Sequence, residues 1–186
     1  DACLFYPDLT EEDQDLLYRH IGTVPAHLIY IDPAKSARDN IRDLLIAPPA
    51  PLLKEIPPIL HHLSSQTVHI NRILSIMASG FSSFSEIHSR TSELTSPTCV
   101  DILKKLTRYG IIQKKTGPLI PGKRQEIAYL FEDRIVRFYY RFLFPHLREY
   151  ALMSPDEFME NYVMSEQDRS SPDEPAADDE CEWVVD

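Results

Sequence analysis

The chain contains no apolar run approaching the roughly 20 residues that a membrane-spanning helix requires. Nor does a basic start precede a greasy stretch of the kind that directs secretion. A cytoplasmic protein without a membrane partner is expected. Cysteine is scarce, and the three present, Cys3, Cys99 and Cys181, are scattered and odd in number. That excludes a disulfide framework and a Cys-x-x-Cys metal site, and implies reduced thiols, with Cys99 in or near the core. No Gly-x-x-x-x-Gly-Lys-Ser/Thr loop occurs, so nothing in the chain cradles a triphosphate. The Gly-x-Ser-x-Gly nucleophile elbow is also missing. Seven histidines are present, but adjacent His61 and His62 would point to different helix faces, with no carboxylate or thiol at ligand spacing. Neither a metal site nor, for this chain alone, a catalytic activity is expected.

What is present suits a globular protein. The 186 residues can bury a core in one or two small domains, and 43% are hydrophobic and 26% charged. The formal net charge of -10 argues against wholesale nucleic-acid binding. The average conceals a split, however. Between Pro97 and Arg148 eleven basic residues stand against four acidic ones, a surplus of +7 that leaves -17 for the rest. Either the basic stretch meets an anionic partner, or charged helix surfaces have clustered by sign.

The residues from 67 to 131 organise the chain. Val68, Ile70, Ile73, Leu74, Ile76 and Met77 give a helical period that stops at Gly80. Ser85 is expected to cap a short second helix carrying Ile87, after a Gly-Phe-Ser-Ser-Phe loop. Ser96 and Pro97 are expected as N-cap and first residue of a third helix whose apolar face is Val100, Ile102, Leu103 and Leu106. Residues 111–115 and 125–130 are expected as strands around a tip containing Gly117-Pro118 and Pro121-Gly122. This order is a winged helix-turn-helix with a small β-hairpin wing, in a mostly α chain.

Around it lie four further segments. Residues 1–47 are predicted to be helical, with capping-box spacing at Thr10–Asp13 and Ser36–Asp39 and a stop at Gly22. Residues 48–66 open with a proline run that no helix can continue through, then resume as a helix over Leu52–Leu63 interrupted by Pro57-Pro58. In residues 132–163 an aromatic-rich helix ends at Pro145. Its Arg134, Arg137, Arg141 and Arg148 are spaced to line one face, opposite Ile135, Phe138, Tyr139, Phe142 and Leu143. Ser154 opens a short last helix. Residues 164–186 are rich in Ser, Asp, Glu, Pro and Ala and are expected to be a disordered acidic tail.

Several of these motifs in order carry a family resemblance. Gly22-Thr23-Val24-Pro25, Tyr30-Ile31-Asp32-Pro33, Ser36, Asn40-Ile41 and Leu52-Leu53-Lys54-Glu55 resemble the lid segment of the prokaryotic AAA/STAND-like ATPases often called the archaeal ATPase family. Residues 73–80, 85–87, 103–106, 110–112, 129–133 and 137–142, with Pro145, are similar to the rest of its C-terminal half. The resemblance covers about residues 18 to 163. It implies that the chain is the lid and winged-helix portion of an ATPase whose catalytic core, with its ATP and magnesium, lies elsewhere, in cis or in trans. It further implies that the lid turn, here Gly22 and Pro25 with Thr23 in place of a second glycine, approaches adenine in the complete protein. The family's nuclease-like region should follow the arginine-aromatic helix. The acidic tail stands there instead, and the last lysine is Lys123.

For the winged helix, the expected partner is double-stranded DNA. Ser96 and Thr98 begin the third helix near base edges; Lys104, Lys105 and Arg108 lie further along, suited to phosphates. Lys114, Lys115, Lys123 and Arg124 are expected to cluster at the wing against the backbone. Only small polar groups and the repulsive Asp101 accompany them at the helix start, so strong sequence readout is not expected. The alternative is a protein-interaction module whose winged helix contacts other protein domains.

Overall fold

The computed structural model describes residues 9–56, 67–117, 127–166 and 184–185. It is mostly helical with a small antiparallel hairpin. The chain divides into two compact units: Asp1–His62 with Arg134–Asp168, and Leu63–Asp133 with Arg169–Asp186.

The first unit opens with α1 (Glu11–His20). Thr10 caps it through a hydroxyl that accepts from the Asp13 amide, and the acidic first turn complements the helix dipole. Gly22 ends it at φ 79°, donating its amide to the Leu17 and Tyr18 carbonyls. A Cβ there would also meet Arg134 Cγ at 3.0 Å, so the position needs glycine twice over. The short α2 (Pro25–Leu28) follows, with Pro25 in its first turn. Then comes α3 (Ala37–Leu45), capped by Ser36. Buried Asn40 gathers the preceding loop by accepting from the Asp32 amide and donating to the Asp32 and Ser36 carbonyls. The proline run breaks the chain as expected. The segment beyond it, Pro51–Glu55, is a 3-10 helix rather than an α-helix, and the rest of the expected helix lies outside the described residues.

The chain returns to this unit at α7 (Arg134–Phe138), which widens into a π-helical turn over Tyr139–Leu143 and tightens to 3-10 over Phe144–His146. Pro145 therefore does not end the helical path. It sits early in the 3-10 turn that follows the π-helical turn, and α8 (Leu147–Leu152) continues beyond it. A serine capping box, Ser154 with Glu157, opens α9 (Pro155–Phe158). Leu17, Ile21, Ile41, Leu45, Phe138, Tyr140, Phe142 and Phe158 fill the core. The Tyr150 hydroxyl donates to the Ile46 carbonyl left open at the end of α3.

The second unit has the helix, helix, helix, strand, strand order: α4 (Thr67–Ala78), α5 (Phe84–Arg90), α6 (Ser96–Arg108), β1 (Ile112–Thr116) and β2 (Ile127–Phe131). Two caps differ from expectation by local hydrogen bonding. Ser83, not Ser85, caps α5, because Glu86 lies three residues on and its carboxylate returns the bond to the Ser83 amide. Thr95, not Ser96, caps α6, leaving Ser96 as its first residue. Ile112 pairs with Phe131 and Thr116 with Ile127 in the hairpin. The stretch expected as loop contributes to the sheet: the Tyr129 amide donates to the Ser82 carbonyl, and Ser83 bridges Ala128. On the other side of β1 lies β3 (Val184–Val185), so the sheet order is β2-β1-β3. Apart from β3 and the 3-10 turn at Met164–Glu166, the expected disordered tail lies outside the described residues. Ile70, Ile73, Leu74, Ile87, Cys99, Ile102, Leu103, Leu106, Ile111 and Phe131 form this unit's core.

Candidate nucleic-acid interface

The α6 helix separates its residues by face. Cys99, Ile102, Leu103 and Leu106 are buried, and the helical period places Pro97, Asp101, Lys104 and Arg108 along the opposite, exposed ridge. Lys104 and Arg108 thus stand outermost on this helix. Lys105 lies to one side and is tied to Asp101 by a 2.8 Å ion pair. Ser96 is exposed at the first turn. The Thr98 hydroxyl is 2.8 Å from that of Thr95, and its amide donates to the same cap, so Thr98 is engaged in holding the helix start.

Lys114 and Lys115 are consecutive in β1, so their side chains leave opposite faces of the ribbon. Lys114 is opposite Tyr129 and shares a face with the buried pair Ile112 and Phe131. Burial, and then the nearby Cys99 thiol, push the Tyr129 phenol on this face upward in pKa. Lys115 is opposite Ala128 on the other face. The expected single cluster of wing lysines is therefore split across the ribbon. Lys123 and Arg124 lie outside the described residues.

Two arginines that the sequence reading did not single out belong to this unit. Arg90 lays its guanidinium 3.4 Å over the Phe81 ring, and Arg72 pairs with Glu93 at 2.9 Å while donating to the Arg90 carbonyl. With Ser75, Ile76 and Ser79 they line an open cleft of about 420 Å³. Both cations are engaged in fixing the end of α5. No helical or strand period announced them, because each acts across a loop.

In the first unit, the expected arginine stripe does not form. α7 is buried nearly all round, and Arg137 is itself only 6% exposed. Arg134 leans over the Tyr18 ring at 5.4 Å, Arg141 lies 5.6 Å from the Phe142 ring centre, and Arg148 is exposed. An i→i+5 turn between Arg137 and Arg148 also inserts an extra residue, which breaks the spacing on which the stripe depended. At the lid turn, Gly22 is buried by its own helix cap and by Arg134, while Pro25 is exposed.

The same corner holds His20, which sequence inspection passed over. It is buried edge-on against Phe138 and Phe142, with Nε2 lacking a hydrogen-bond partner. Burial first, then the charges of Arg137, Arg19, Arg141 and Arg134, lower its pKa to about 3. It is a neutral imidazole at any ordinary pH. Among the described residues no group of three or more His, Cys, Asp or Glu side chains could hold a metal, and no helix is long and apolar enough to cross a membrane. His61 and His62 lie outside the described residues. Comparison of the chain with protein-family models, with curated proteins and with solved structures finds no match.

Proposed function

We propose that the second unit is a DNA-contacting winged helix-turn-helix, and that the chain serves as the non-catalytic regulatory portion of a P-loop ATPase whose core is supplied in cis or in trans. The supporting observation is the exposed α6 ridge, where Lys104 and Arg108 stand outermost beside a hairpin bearing Lys114 and Lys115. Cations on a helix and on an adjacent ribbon are the kind of groups with which such a fold contacts the DNA backbone. The small side chains at the helix start, Ser96 and Thr98, offer little for base readout, so binding is phosphate-dominated. The ATPase association rests on the ordered motifs described for residues 18 to 163. In that assembly Gly22 and Pro25 form the adenine-facing half of a nucleotide site, and the isolated chain binds ATP negligibly.

The test is a salt titration of binding to a short DNA duplex. Phosphate contact gives a steep linear fall of log affinity with log salt, and each lost contact reduces the slope by roughly 1. Lys104→Ala and Arg108→Ala should each show this loss. One observation favours a second reading, in which the winged helix contacts another protein: Asp101 sits in the middle of the ridge and repels polyanions. Absence of binding at low salt selects that reading. Micromolar ATP affinity in the isolated chain would refute the half-site assignment.

A further inference from the structure

The open cleft of the second unit joins α4 to the end of α5 and has two unlike parts. Ile76 on α4 and Phe81 in the loop after it are apolar, while Arg72, Ser75, Ser79 and Arg90 supply polar groups. Its volume of about 420 Å³ lies in the range of small-molecule sites. Each arginine is fixed through only part of its guanidinium. Arg72 donates Nε and Nη2 to the Arg90 carbonyl and pairs through Nε with Glu93. Arg90 donates Nη1 to the Glu86 carbonyl and the Ser89 hydroxyl, and lays one face on the Phe81 ring. Among the described residues no acceptor takes Arg72 Nη1 or Arg90 Nε and Nη2, and both residues are exposed. The contacts that hold the two guanidinium planes therefore leave donors, and one flat cationic face, for a further partner. Two carboxylates act on these cations. Glu93 pairs with Arg72, and Glu86, folded onto the Ser83 cap, acts on Arg90 from the same helix. Neither lines the cleft. Cations partly neutralised in this way suit a single negative charge better than a polyanion.

We propose that this cleft is a binding site for a small aromatic monocarboxylate. The carboxylate accepts from Arg72 Nη1, a charge-assisted hydrogen bond. The ring lies on the face of the Arg90 guanidinium opposite Phe81, where a cation between two aromatic rings is attracted to both. Ile76 adds apolar contact at the ring edge. Ser75 and Ser79 donate their hydroxyl protons to the Asn71 and Ser75 carbonyls, so the arginines are the side chains that supply donors to an anion here. Because Arg90 is already laid on Phe81, binding orders little further side-chain freedom. The site does not depend on contact between α6 and DNA.

Isothermal titration of the intact chain with 2-naphthoate tests the assignment. A Kd on the order of 0.1 mM is expected for so small a ligand in an open cleft. The amide 2-naphthamide keeps the shape without the charge, and hexanoate keeps the charge without the rings. Each should bind about tenfold more weakly or worse. Arg90→Gln removes the flat cation and should weaken naphthoate binding about tenfold. Ser79→Phe, at an exposed position, keeps every charge but places a ring in the cleft, and should weaken binding by a similar factor. Far-UV circular dichroism and urea unfolding verify that both variants fold; if Arg90→Gln does not, Ser79→Phe and the ligand series still decide. No saturation by about ten times the expected Kd overturns the proposal. Equal affinity for the naphthamide overturns the anion contact. Equal affinity for hexanoate, or displacement of naphthoate by inorganic phosphate at matching concentration, marks a bare anion site and overturns the aromatic class. Unchanged naphthoate affinity in either folded variant places the binding outside this cleft and overturns the site.

Discussion

His20 illustrates how one side chain can couple a unit's stability to pH. Its imidazole is buried between Phe138 and Phe142 with Nε2 unpartnered, and its pKa falls to about 3. A group depressed in this way binds fewer protons folded than unfolded, so its contribution is complete above the ordinary histidine value and is lost as pH falls toward 3. Acidification through this window should lower unfolding free energy by up to about 1.4 kcal/mol per pH unit on its account. Urea unfolding of His20→Phe at a series of pH values between neutrality and 4 should show a correspondingly flatter profile than the wild type. Gly22 makes a second case at the same corner. Alanine there would adopt φ 79° and press against Arg134 Cγ at 3.0 Å. Gly22→Ala is expected to cost about 1–2 kcal/mol in a chemical unfolding experiment, whether or not a nucleotide is ever bound at that turn.

At the scale of elements, helix starts turn on which hydroxyl reaches which amide. Ser83 and Glu86 exchange hydrogen bonds, and the Ser83 hydroxyl and backbone amide hold the Glu86 carboxyl below its usual range. Ser83→Ala should therefore cost about 1 kcal/mol, while Ser85→Ala stays near zero. Equilibrium unfolding of the two variants separates the alternatives. Thr95→Ala against Ser96→Ala gives the same contrast for α6. The exposed ridge of that helix carries its own expectation. Lys105 is held by Asp101, so Lys105→Ala should weaken DNA binding less than Lys104→Ala or Arg108→Ala, and Asp101→Asn should strengthen it at low salt. A fluorescence anisotropy titration of the four variants gives the ranking, and equal effects at Lys104 and Lys105 would contradict the ridge geometry.

For the whole molecule, division into two units makes effects separable. Gly22 lies in the first unit and Thr95 in the second. Their substitutions share no partner, and their unfolding costs should add within about 0.5 kcal/mol. The charge balance has a similar structure. The basic surplus between Pro97 and Arg148 is shared between the units: Lys104 to Arg124 belong to the second, and the four arginines from Arg134 onward to the first.

The local pattern of the chain was sufficient for the order of its helices and hairpin but not for all their ends: Ser83 and Thr95 rather than Ser85 and Ser96 cap α5 and α6, and the helical path continues past Pro145. Thr10, Ser36 and Ser154 as caps, Gly22 and Gly80 as stops, and the period of Ile102, Leu103 and Leu106 all act within a few residues, where hydrogen bonds and side-chain direction leave few options. The mostly helical fold with a hairpin followed from them. What only tertiary structure decided is the fate of groups whose partners lie far along the chain. Arg137 was assigned to an outer stripe by spacing, yet α7 is buried on nearly every side and takes the arginine with it. His20 carries no sequence signal because its neighbours come from residues 138 and 142. Lys114 and Lys115 are adjacent in the sequence but occupy opposite faces once paired with Tyr129 and Ala128. Periodicity specifies which face a residue takes, but burial, charge and pKa depend on what packs against that face, and that is fixed only when distant segments meet.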